Sequence, residues 1–159
     1  MKIFVLVSLF AVGYCHICLL SPPQRGTMTG INSPGAKDCI LTTAPCGGRQ
    51  PTRDATFYGR GENITVTFMK NLDHYNKTSP GKFVISLSER EGTTPKVLAT
   101  VPDGGEPSLH IYTVKVRAPM EPPNTMHYLQ VTYEPNNAQA PKTFYQCADV
   151  GFEPRNGSE

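Results

Sequence analysis

The chain has 159 residues, 15 basic and 13 acidic side chains, 38% hydrophobic and 18% charged positions, and no Trp. That length suits one domain with a real core, and the composition excludes disorder, coiled coil and collagen. Its 15 Pro and 14 Gly disfavour a helical bundle, while a net charge of +2 without a Lys/Arg cluster excludes a nucleic-acid footprint.

The first element in the chain is a targeting signal. Met1-Lys2 is a short basic start, and residues 3–12 are apolar except for Ser8. Ten residues are too few to cross a bilayer as a helix but match a signal-peptide core. Cuts after Cys15 and after Gly13 both satisfy the small-residue rule, and cysteine parity favours the first. Of Cys15, Cys18, Cys39, Cys46 and Cys147, removal of residues 1–15 leaves four, enough for two disulfides without a spare thiol. The expected organisation is a signal peptide over 1–15 and a single domain over 16–159, secreted and without a membrane span. Sequons at Asn63, Asn76 and Asn156 fit that route.

The mature chain then begins with His16. Residues 21–62 are rich in Gly, Pro and Cys and read as a long loop region pinned by disulfides. Beyond it, segments 64–69, 82–88, 96–101, 109–117, 126–133 and 144–152 read as strands. Ile64, Val66 and Phe68 alternate onto one face, as do Phe83, Ile85 and Leu87. Turn residues separate the segments: Glu91-Gly92, Asp103-Gly104-Gly105, and the proline clusters at 119–123 and 135–141. The prediction is an all-β, antiparallel, immunoglobulin-like or fibronectin-like β-sandwich.

An N-terminal histidine offers two nitrogen donors, the α-amine and ring Nδ1, that close a chelate on one metal. A second histidine completes a planar three-nitrogen set, the histidine brace, which suits Cu(II) better than zinc. The other histidines are His74, His110 and His127. His74 falls in a predicted loop, where a side chain can reach a terminus without loss of core packing. His110 and His127 fall in predicted strands and read as packing residues.

His16-Ile17-Cys18-Leu19-Leu20-Ser21-Pro22-Pro23-Gln24-Arg25-Gly26 resembles the mature start of the fungal copper-acquisition proteins, secreted relatives of lytic polysaccharide monooxygenases. Ala44-Pro45-Cys46-Gly47-Gly48 is similar to their Cys-Gly-Gly segment. Phe144-Tyr145-Gln146-Cys147-Ala148-Asp149-Val150 is similar to their closing Tyr-Gln-Cys-Ala-Asp strand. The three motifs keep their order and span almost all of the mature chain. The Cys18 and Cys39 positions depart from the fungal pattern. The resemblance implies a monooxygenase-like sandwich holding one Cu(II) ion through His16 and His74, with Asp149 as a carboxylate ligand. Strand parity sets Asp149 with Tyr145 and Cys147 and turns Phe144 the other way. Four cysteines allow three connectivities; the motifs imply Cys46–Cys147, leaving Cys18–Cys39.

Three function classes follow. The first is a secreted copper(II) carrier in copper acquisition or homeostasis, without oxidative turnover, whose partner is a cell-surface copper transporter or a polysaccharide. The second is a copper-dependent lytic polysaccharide monooxygenase. The third is a metal-free extracellular recognition module in which His16 is incidental.

Overall fold

The computed structural model describes residues 16–89, 94–120 and 126–154. The predicted signal peptide, Cys15, the sequon at Asn156, the predicted Glu91-Gly92 turn and part of the 119–123 cluster lie outside these.

Eight strands follow in chain order: β1 (His16–Ser21), β2 (Thr56–Gly59), β3 (Asn63–Leu72), β4 (Lys82–Ser88), β5 (Lys96–Pro102), β6 (His110–Arg117), β7 (Met126–Glu134) and β8 (Phe144–Glu153), with one 3-10 turn at Lys37–Cys39. They form a three-stranded sheet, β1-β3-β6, and a five-stranded sheet, β2-β8-β7-β4-β5. The two sheets enclose one core. Ile17 and Leu19 of β1, Ile64, Val66 and Phe68 of β3, Phe83 and Ile85 of β4, Leu129 and Val131 of β7, and Phe144 and Val150 of β8 are all buried in it. Period-two alternation places these residues on the inner faces, and each fully buried large side chain contributes about 1.5–3 kcal/mol. The fold is the expected all-β sandwich.

Two features depart from the expectation. β2 lies within the segment read as loop, and it pairs with β8 in parallel. Its burial follows no alternation, so four residues at a sheet edge left no periodic signal. His110, expected to pack, is instead exposed at the start of β6, with its ring edge-on to Tyr112 at 4.7 Å. His127 is buried and meets Phe152 edge-on at 5.2 Å.

Two disulfides, Cys18–Cys39 and Cys46–Cys147, span 21 and 101 residues. Loops of those lengths correspond to roughly 3–5 kcal/mol each in the chain-entropy description. They fasten the long 21–62 segment to β1 and to β8. Among the described residues no helix is long and apolar enough to cross a membrane.

An aromatic cluster fills the core level with Leu19 of β1. Tyr112 stacks on Phe68 at 5.0 Å, and Phe83 stacks on Tyr133 at 4.5 Å. The Tyr112 hydroxyl donates to Glu106 Oε2 at 2.6 Å. That bond is the main cause holding the Glu106 carboxyl below its ordinary value. Burial, then the Glu106 contact, pushes the Tyr112 phenol upward, so it stays a donor. A depressed carboxyl stabilises the fold above its unfolded-state value, and that contribution is lost as pH falls through the folded-state value. Tyr112→Phe should therefore reduce the fall in stability on acidification below about pH 4.5. Urea midpoints compared at pH 6 and pH 3.5 would show it, and an unchanged difference between the two proteins would contradict it.

Candidate metal centre

β1 and β3 pair antiparallel, with Ile17 opposite Lys70 and His16 opposite Leu72 across a register shift. His74 follows Leu72 by two residues, in the β3–β4 connection. Strand spacing plus two residues of chain bounds the two histidine Cα atoms within about 12 Å of one another. His16 is 3% exposed. The His74 Nε2 atom is buried with no hydrogen-bond partner among the described residues. A buried imidazole nitrogen without a donor or acceptor is costly unless a ligand takes it.

The backbone on both sides of His74 is tied down. Asp73 N–H donates to Ser108 Oγ at 2.9 Å, and the His74 carbonyl accepts from Asn137 Nδ2 at 3.1 Å. Asp73 Oδ1 accepts Tyr75 N–H at 2.9 Å, closing an Asx turn around His74. The same oxygen accepts Lys70 Nζ at 2.9 Å. Lys70 points into the sandwich, wholly buried, where it also meets Asp103 at 2.7 Å. Asp103 in turn accepts the Tyr133 hydroxyl and Gly105 N–H. Gly105 has φ +86°, and a side chain there would run into the Tyr75 ring, so glycine lets Tyr75 close over this turn.

Asp149 is not brought to the histidines. Gln146 stands level with the start of β1, its Nε2 donating to the Ile17 carbonyl at 2.9 Å. Past the end of β1, Arg25 N–H reaches the Cys147 carbonyl at 2.7 Å. β8 thus advances away from His16, and Asp149 lies about 10 Å beyond Gln146. Its carboxylate is buried against Arg25, whose Nη2 and Nε donate at 2.6 and 3.0 Å, and accepts Thr52 N–H at 2.8 Å. Parity is as expected: Cys147 packs outside the core with Cys46 and Tyr128, and Phe144 packs inside it. Among the described residues no three His, Cys, Asp or Glu side chains converge as a metal cluster. His16 on β1 and His74 in the β3–β4 connection are the candidate imidazole donors, a donor type that suits a nitrogen-seeking metal.

The motif residues near Arg25 serve as fasteners. Gln24 Oε1 accepts Leu19 N–H at 3.0 Å, and its Nε2 donates to the Thr27 carbonyl at 2.8 Å. Gly26, at φ +80°, leaves room for the Arg49 guanidinium. Arg49 also reaches Asp38 at 2.9 Å. The Thr27 hydroxyl, ahead of Thr29 N–H and Arg49, holds the Asp38 carboxyl below its usual value.

A two-sheet sandwich whose first strand opens with His16, and whose β3–β4 connection carries His74, shares the fold of lytic polysaccharide monooxygenase domains. Solved structures bear the fold out. The chain matches a family AA15 lytic polysaccharide monooxygenase from Thermobia domestica in the Cu(I) state at TM-score 0.54 and 16% identity, covering 87% of this chain and 99% of that one. A lytic polysaccharide monooxygenase important for chitin utilisation in Cellvibrio japonicus matches at TM-score 0.50 and 15% identity, covering 86% and 99%. The copper acquisition factor BIM1-like family matches residues 15–159, and the chain belongs to that family. No curated protein matches the chain.

Removing one partner of a buried ion pair strands the other, at about 3–5 kcal/mol. Asp149→Ala should therefore lower unfolding stability by that amount while leaving copper affinity near native. Loss of copper binding in a variant that remains folded would assign Asp149 to the metal instead.

Proposed function

We propose that the protein is a secreted copper(II) carrier of copper acquisition or homeostasis, without oxidative turnover. Removal of residues 1–15 frees the His16 α-amine. That amine, the His16 ring and His74 Nε2 then hold one Cu(II) ion. The observation that carries this reading is the buried Nε2 of His74, unpartnered among the described residues, two residues after the Leu72 that pairs with His16. Membership of a copper acquisition family supports the metal, and a cell-surface copper transporter is the partner that suits a carrier.

The sequons bear on the choice between carriage and polysaccharide oxidation. Asn76 Oδ1 accepts both the N–H and the hydroxyl of Thr78, at 3.1 and 2.8 Å. A glycan on Asn76, two residues from His74, would stand at the rim of the site and hold it off a flat polysaccharide surface. Asn63, at the start of β3, and Asn156 are further proposed glycan sites.

The alternative of a polysaccharide monooxygenase draws on the fold alone. Oxidised oligosaccharides released from chitin or cellulose with copper and a reductant would establish it.

His74→Ala should abolish tight equimolar Cu(II) binding, whereas His110→Ala should leave it intact. Copper titration followed by electron paramagnetic resonance reads both, and a nitrogen-rich copper spectrum retained in His74→Ala would remove that residue from the site. The amine must also lose its proton, with a reference pKa of about 7.7–8.0, before it binds copper. Binding should then release protons at neutral pH, and affinity should fall as pH drops. Calorimetry in buffers of different ionisation enthalpy would detect the protons, and pH-independent binding without release would contradict the amine ligand.

A further inference from the structure

We propose that Asp73, locked by Lys70, is the positioning residue that aims His74 at the metal. The inference rests on the copper reading above and assigns it a part supplied by neither histidine.

A loop histidine has freedom of backbone and side chain, and a metal site misplaced by a fraction of an ångström loses affinity. Here that freedom is removed from within the sandwich. β3 presents Ile64, Val66 and Phe68 to the core, and the next inward position is Lys70, wholly buried. A buried ammonium must be compensated by charge and hydrogen bonds. Asp103 and Asp73 supply them at 2.7 and 2.9 Å. The Asp73 carboxylate, one-third exposed at its outer edge, is thereby fixed at one oxygen. That same Oδ1 takes Tyr75 N–H and so closes the turn whose central residue is His74. Lys70 is also the ladder partner of Ile17, the residue after His16. A single buried cation therefore refers the second histidine to the strand that carries the first.

Both contacts on the Asp73 carboxylate fall on Oδ1, an atom that asparagine keeps and alanine lacks. Neither substitution uncovers Lys70, which retains Asp103, so both variants should fold. Two consequences separate positioning from direct metal ligation or mere charge. Asp73→Ala should weaken Cu(II) binding about 10- to 100-fold, the range usual for groups that orient a metal-binding histidine, and should alter the copper spectrum. Asp73→Asn should bind close to native affinity with a native spectrum. In the metal-free protein, amide exchange at Tyr75 should quicken in Asp73→Ala and not in Asp73→Asn.

The experiment is a Cu(II) titration with paramagnetic resonance on the processed native protein, Asp73→Ala, Asp73→Asn and His74→Ala, beside amide exchange on the same four without metal. Equal binding and spectra in native protein and Asp73→Ala, with His74→Ala inactive, would overturn the proposal. So would Asp73→Asn losing as much as Asp73→Ala, since the negative charge would then be what matters. Should His74→Ala bind copper like the native protein, the copper reading itself fails. Tyr75 exchange then still decides the turn: no change in Asp73→Ala would overturn the clamp as well.

Discussion

The first residues of a domain fray unless they are tied down. β1 is held from three directions. Its backbone pairs with β3 from His16 to Ser21. Cys18 is bridged to Cys39. Gln146 of β8, on the opposing sheet, binds the Ile17 carbonyl, while Gln24 folds back onto Leu19 N–H. Ile17 and Leu19 between them are wholly buried. The proposed metal site, founded on residue 16, requires that rigidity, because His74 has to be placed relative to it.

Two buried ion pairs divide the work along the sandwich. Arg25–Asp149 ties the turn after β1 to the outer face of β8, with Thr52 completing the carboxylate's bonds. Lys70–Asp103 ties β3 to the turn after β5 and, through Asp73, to the His74 loop. Buried pairs add little net stability compared with apolar packing, but the loss of one member is costly. Their effect is to join particular loops to particular strands. The opening and closing motifs that signal the family act largely in this way: Arg25 binds Asp149, Gln146 binds the Ile17 carbonyl, and Gln24 folds back onto Leu19 and Thr27 of its own segment.

Most of the sandwich was legible because an inward face repeats every second residue. The predicted strands 82–88 and 126–133 match β4 and β7 to within one residue. β2 was not legible, being short, at an edge and paired to a distant strand. For the site, the loop position of His74 could be read from the strands on either side. The level of Asp149 along β8 could not, since parity gives the face of a strand and not its depth. Lys70 did carry a signal, as a charged residue at the next inward position after Ile64, Val66 and Phe68. Alternation marks it as buried and therefore in need of carboxylate partners, although their identity depends on folding.

The central claim is that the metal is held by a terminal amine as well as by imidazoles. The most direct measurement is a Cu(II) titration comparing protein that begins at His16 with protein carrying one extra residue before it. The extension turns the amine into an amide and leaves His16, His74 and both disulfides in place. The account predicts that the extended form folds normally and binds Cu(II) far more weakly, with an altered paramagnetic spectrum. Equal affinity and identical spectra in the two forms would contradict it.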